Sequence, residues 1–167
     1  MSRGLGDVYK RQGLYNKETT EQLTDELLSE DENKYHAFLI LDVDCFKQIN
    51  DIYGHAVGDI VLQKFGKLLK GTFREGDILG RIGGDEFGVI MKNIQTKDIA
   101  MKKAEELLAK TQAYKIDELK GNNISISIGI STAPQDGDCY MDLYKRADQA
   151  LYQAKRSGKA RVCNYFS

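Results

Sequence analysis

Hydrophobic and polar positions change period several times along the chain, and each change marks an element. From Asn16 a polar segment carries Leu23, Leu27 and Leu28 at helical spacing toward Glu30, and Tyr35 to Val43 then forms an apolar run that ends in acid. The pattern predicts a helix followed by a buried strand. A helix with Phe46, Ile49 and Tyr53 on one side follows, and a second carries Val61, Phe65, Leu68 and Leu69 at i, i+4, i+7 and i+8. Ile78 to Ile82 and Phe87 to Met91 are short apolar stretches about Gly83-Gly84-Asp85-Glu86, a hairpin whose glycines permit the positive φ of a tight turn. Ile99 to Leu108 is amphipathic at helical period, whereas Ile124 to Ile130 alternates apolar and small polar residues, which predicts a half-buried strand. Leu143, Ala147, Ala150, Leu151 and Ala154 mark a last helix, with Gly158 placed to end it in a left-handed cap before a short strand from Arg161 to Tyr165.

The order βααββαβ, with a C-terminal helix and short strand, predicts an α+β fold of the ferredoxin-like, palm-type βαββαβ kind: an antiparallel sheet with its helices on one face. No repeat or internal linker interrupts it. Residues 1–12 lack periodicity, and Asp7 to Gln12 reads as a translated transposon-end sequencing adapter. Residues 1–12 are therefore expected to be a non-native tail, residues 13–167 the single domain, and any preceding regulatory domain to be missing from view.

Composition narrows the function. With 167 residues, 41% hydrophobic and 29% charged, the chain has the make-up of one ordinary globular domain. Its 24 basic residues against 25 acidic ones leave a net charge of −1, so no overall field attracts nucleic acid or a membrane surface. An anionic ligand must be caught locally. Cys45, Cys139 and Cys163 are odd in number and lack metal-type spacing, which fits reduced thiols in the cytoplasm. The longest apolar stretch, Ala37 to Leu41, is too short to cross a bilayer, although a full-length parent could be membrane-attached.

Asp42 stands where a buried strand ends, and Asp85 and Glu86 stand at a hairpin tip, so the fold could bring all three to one rim. Carboxylates at close range repel, and such clusters usually hold hard divalent cations with oxygen ligands, Mg²⁺ when phosphate is the substrate. The competing interpretation of the hairpin acids is ordinary turn chemistry, and Asp44 reads as the N-cap of the helix that follows it.

Taken together, Leu41-Asp-Val-Asp-Cys-Phe-Lys-Gln-Ile-Asn-Asp-Ile-Tyr-Gly-His55, Gly58-Asp59, Arg81 to Phe87, Ser125 to Gly129 and Tyr152-Gln-Ala-Lys155 make the chain resemble the GGDEF family of diguanylate cyclases from about Gly13 to Tyr165. The resemblance implies a bacterial signalling nucleotidyltransferase that condenses two GTP into cyclic di-GMP, releasing two pyrophosphates. Asp42 and Asp85 would bind Mg²⁺ (or Mn²⁺), two ions per active site, with the Val43 carbonyl as a further ligand and Glu86 as a supporting catalytic acid. Asp85 would also help deprotonate the attacking 3′-hydroxyl. Asn50 and Asp59 would read guanine, whose N1–H and N2–H₂ donors a carboxylate accepts as a pair and adenine lacks. Phe46, Lys47, His55, Lys155 and Lys159 would complete the substrate site, Lys159 standing where the family usually has arginine.

Arg74-Glu-Gly-Asp77 occupies the family's RxxD product-inhibition position, and Glu106 falls near its secondary inhibitory arginine. Tyr9 to Gln12 replace the family's Asp-x-Leu-Thr. The implied partners are GTP, cyclic di-GMP and a second copy of the domain, since one chain carries half of a two-nucleotide site. A non-catalytic receptor for cyclic di-GMP or GTP, or a cyclase of relaxed base choice, are the rival expectations.

Overall fold

A computed structural model describes residues 14–30 and 33–165; the expected tail of residues 1–12 lies outside them. Helix α1 (Lys17–Glu30) starts where the polarity pattern places it, because the Asn16 side-chain oxygen accepts the Thr19 N–H at 2.8 Å and satisfies a first-turn donor. It leads to β1 (Tyr35–Val43), α2 (Phe46–Tyr53), α3 (His55–Thr72), β2 (Ile78–Arg81), β3 (Glu86–Ile94), α4 (Lys97–Ala113), β4 (Ile126–Ala133), α5 (Tyr140–Arg156) and β5 (Val162–Asn164). A 3₁₀ turn, Asp117–Leu119, separates α4 from β4.

The strands form one sheet in the order β2-β3-β1-β4-β5. Central β1 runs antiparallel to both β3 and β4, and β5 joins β4 in parallel, so the sheet is mixed. Both faces are covered, which corrects the one-faced plan. Ala37, Leu39, Leu41 and Val43 of β1 pack with Val61, Phe65 and Leu69 of α3 and Ala104 and Leu107 of α4. The alternate residues Phe38 and Ile40 pack with Leu27 and Leu28 of α1 and with Tyr140, Leu143 and Ala147 of α5. A central strand buried on both sides has no polar face to show, and this is why β1 reads as an unbroken apolar run.

Strand β4 is buried along its whole length rather than half-buried, and it begins two residues later than Ile124. Ser131 lies under α5, its Oγ donating to the Leu143 carbonyl at 2.8 Å. Gly129 has no room for a side chain, since a Cβ there would collide with the Ala147 carbonyl and come within 2.9 Å of Leu151 Cα. The small residues Gly129 and Ser131 are the imprint of a closely seated helix, not of solvent. No helix among the described residues is long and apolar enough to cross a membrane.

Candidate active site

The register of the sheet puts Asp42, at the end of β1, directly opposite Glu86, the first residue of β3, and across from Ser127 of β4. Asp85 stands in the turn before β3, one residue from Glu86 and near enough to the Asp42 carboxyl to raise its pKa. From above this end of the sheet, α5 lowers Lys155, which pairs with Asp42 Oδ2, and Tyr144, whose hydroxyl donates to Glu86 Oε1 at 2.8 Å. The hairpin acids, the strand-end acid and the helix lysine therefore meet on one rim.

Their electrostatics are those of crowded, half-dry acids. Burial pushes Asp42 up to about 7, helped by Asp85 and only partly offset by the Lys155 ammonium. Burial likewise raises Glu86, against the Tyr144 hydroxyl bond that lowers it. For Lys155, burial opposes the charged form, but its contact with Asp42 wins and holds the ammonium above its ordinary value. Asp42 Oδ1 is buried and has no donor among the described residues. A buried carboxylate oxygen left without a donor, with Glu86 paired opposite Asp42 across the sheet, suits a hard cation, so the donor set fits Mg²⁺. Val43, the other expected ligand, is the last residue of β1 and pairs with Ile126.

A second grouping lies elsewhere. Asp138, Cys139 and Asp142 bring ligand atoms within 4.8 Å of one another, the one such group of three among the described residues. It sits at the start of α5, whereas Lys155 is near that helix's end. Exposed acids gather in this way without an ion.

Helix α2 follows the acidic rim at once and presents Phe46, Lys47 and Asn50; Lys47 is exposed, while Phe46 and Asn50 are half-buried against α3. The first turns of α3 supply His55, Gly58 and Asp59, of which His55 and Asp59 are exposed. Lys159 reaches the start of α2, its Nζ lying 3.1 Å from Cys45 Sγ. Arg74 and Asp77 lie apart from all of these, at the opposite end of β2 from the signature turn.

Several local expectations need correction. Asp44 is not a helix cap: Cys45 occupies the N-cap position and no side chain caps α2. Asp44 is buried instead, accepting Ser125 Oγ at 2.5 Å, Ser127 Oγ at 2.7 Å and the Ala160 N–H at 3.1 Å. It ties the end of β1 to the start of β4 and to the loop carrying Lys159. Gly83 and Gly84 do not take positive φ, which among the described glycines belongs to Gly54, Gly121 and Gly158. The signature turn is closed by the Ile82 and Gly83 N–H groups on the Glu86 carbonyl, and by the Arg81 guanidinium on the Gly84 carbonyl at 2.7 Å. Gly158 does adopt the expected left-handed conformation beyond α5, at φ 120°.

Sequence reasoning passed over Tyr144. A signal was present, since Tyr144 and Lys155 are eleven residues apart, about three helical turns, and so share a face of α5.

At the RxxD position the Asp77 carboxylate is already engaged. It accepts the Arg74 N–H at 3.1 Å, the Arg74 guanidinium at 3.2 Å and the Lys92 N–H at 3.1 Å. The Arg74 guanidinium also donates to the Lys92 carbonyl. Arg74 remains 59% exposed while the Asp77 side chain is 1% exposed. Asp77→Ala is therefore expected to lower stability by about 1–3 kcal/mol, because it strands backbone donors at a buried turn. Arg74→Ala should cost less than about 1 kcal/mol, as for an exposed ion pair. Equal melting temperatures for the two variants would contradict this division of roles.

Comparison with known proteins identifies the family and the fold. The family described as "Diguanylate cyclase, GGDEF domain" matches residues 12–161. Diguanylate cyclase A of Treponema denticola is 40% identical over 127 residues, which are 75% of this chain and 34% of that protein. The chain spans less than half the length of the curated relatives it matches. The crystal structure of the GGDEF domain of TpbB from Pseudomonas aeruginosa superposes with a TM-score of 0.88 at 32% identity, covering 93% of this chain and 99% of that one. The GGDEF domain of DgcB from Caulobacter crescentus, solved in complex with c-di-GMP, gives 0.84 at 25% identity, covering 92% and 90%. With the family matched over nearly all of its length and the signature acids gathered at one rim, the chain belongs to the GGDEF domain family.

Proposed function

We propose that the chain is a diguanylate cyclase that joins two GTP molecules into cyclic di-GMP. The observation that carries this is the convergence of Asp42, Asp85, Glu86 and Lys155 at the end of the sheet from which α2 and α3 emerge with Asn50 and Asp59. A charged site for phosphate thus adjoins a polar one for a base.

In each half-reaction the 3′-oxygen of one GTP bonds to the α-phosphorus of the other, the α–β phosphoanhydride breaks, and pyrophosphate leaves. Asp85 takes the hydroxyl proton. Mg²⁺ or Mn²⁺, two ions per active site held by Asp42, Asp85 and the Val43 carbonyl with Glu86 in support, supplies Lewis-acid stabilisation of the phosphoryl charge when bound. Lys155 gives up part of its pairing with Asp42 to the triphosphate, and Lys47 and Lys159 add charge around it. Asn50 and Asp59 hold guanine, flanked by Phe46 and His55. Positioning and charge stabilisation do most of the work in such transfers. One chain carries one such set, so the working unit is two copies facing each other.

Product feedback belongs to the same proposal. The exposed Arg74 guanidinium contacts cyclic di-GMP, while Asp77, buried, braces the turn that presents it and offers a guanine edge only what its backbone bonds release. Incubation of the chain with Mg²⁺ and GTP, ATP or both, followed by identification of the products, tests the assignment. Cyclic di-GMP from GTP alone is expected. Mixed cyclic dinucleotides would show relaxed base choice, and binding without turnover would show a receptor.

A further inference from the structure

Away from the acidic rim and the RxxD turn, a residue with no side chain stands between the two proposed guanine readers. Phe46 and Asn50 are four residues apart on α2 and so project from one face of that helix. That face rests on Gly58 of α3. A Cβ built on Gly58 would collide with Asn50 Oδ1, and would lie 3.1 Å from Asn50 Cγ and 3.2 Å from Phe46 Cζ. Gly58 is buried at the first turn of α3 and is not among the glycines with positive φ, so its backbone conformation does not demand glycine. Alanine would be the better helix former there. What needs glycine is the space that the Asn50 amide fills.

We infer that Gly58 determines base specificity by its missing side chain: the bare α-carbon is the shelf on which the Asn50 amide lies, one residue from Asp59, so that the two polar groups meet the same purine. The inference rests on the guanine-reading role given above to Asn50 and Asp59. Gly58 is a positioning residue, acting through Asn50. The colliding atom is the end of a side chain that can rotate, and the three atoms nearest the added Cβ all belong to side chains rather than to the backbone of α2. A methyl at this position therefore moves the amide rather than the helix. The displaced amide no longer faces the base beside Asp59, and a polar group of the purine loses its partner.

The test is a double-mutant cycle on guanine recognition, read by calorimetry with the α,β-methylene analogue of GTP, which binds but cannot transfer its α-phosphoryl group. Gly58→Ala is expected to weaken binding about tenfold or more, the scale of leaving a desolvated hydrogen-bonding group unpaired. Asn50→Ala should weaken it similarly. The decisive variant combines them: with the amide gone the methyl meets only the rim of the Phe46 ring, Cζ at 3.2 Å, which a small shift of that side chain relieves, so Gly58→Ala should cause little further loss in the Asn50→Ala background. The melting temperature of Gly58→Ala should stay at or above that of the parent chain.

Parent-like binding by Gly58→Ala, or losses that multiply in the double variant, would overturn the inference while leaving the guanine readers in place. A Gly58→Ala chain that does not fold would overturn it too, because the glycine would then serve packing alone. Unchanged binding by Asn50→Ala would instead remove the guanine assignment itself, and the inference with it.

Discussion

Asp85→Asn is expected to cut cyclic di-GMP formation by about 100-fold or more, the scale seen when a group stabilising transition-state charge is removed, and to leave the fold as stable as before or more so. Both halves follow from the same geometry. Asp85 lies half-exposed in the signature turn, and the closing hydrogen bonds there come from the Ile82 and Gly83 N–H groups and the Arg81 guanidinium, not from its side chain. Its charge instead raises the neighbouring Asp42, whose folded-state carboxyl titrates at about 7. Between the ordinary carboxylate value and about 7, the folded chain holds a proton that the unfolded chain has released, so stability falls as pH rises through that window. Neutralising Asp85 removes part of that penalty. Melting curves at neutral pH together with a product assay check both outcomes; full turnover by a folded Asp85→Asn chain would remove Asp85 from the chemistry.

The second large effect is structural. Asp44→Ala should destabilise the domain by about 3 kcal/mol or more, because the buried carboxylate is the shared acceptor of two serine hydroxyls and a loop N–H. For a domain of this size that loss corresponds to a fall of roughly 6–12 °C in melting temperature. Its consequences extend to the site, since Asp44 joins the strand that ends beside the acidic rim to the loop that presents Lys159. A thermal melt within about 2 °C of the parent chain would show that the serines and the loop are held by other means.

These two acids, one far from Asp42 in the chain and one only two residues beyond it, show what sequence could and could not disclose. Asp42 and Asp85 were legible as a pair because each sits at a break in an apolar pattern, and the sheet register then brings them to one rim. Asp44 was not, because its partners Ser125, Ser127 and Ala160 are more than eighty residues away and a polar residue before a helix already has a local explanation. A long-range tether leaves no periodic trace.

The strands tell a similar story. The apolar run of β1 marked a buried strand, although the expected plan covered one face of the sheet only, and the alternation of β4 pointed to a wet face that does not exist. Serine and glycine are small enough for α5 to sit directly on them, and a pattern of polarity cannot distinguish solvent from a backbone at close range. The same ambiguity hid Gly58, where an absent side chain is the feature, and Tyr144, whose importance depends on Glu86 lying opposite it. The hairpin was found from its glycines, but for the wrong local reason: an arginine side chain holds the turn.

The most direct test is the amount of cyclic di-GMP formed per unit of chain from saturating GTP and Mg²⁺, measured across a protein dilution series. Each chain offers one Asn50/Asp59 pair and one acidic rim, and the proposed reaction needs two GTP molecules to meet, so on that proposal the productive species forms bimolecularly. Specific activity is expected to rise with protein concentration, and to rise at low concentration when a dimeric coiled coil is fused to the chain. Absence of cyclic di-GMP at every concentration, or a flat specific activity from a chain shown by sedimentation to be monomeric, would contradict a GTP-condensing site built from two copies.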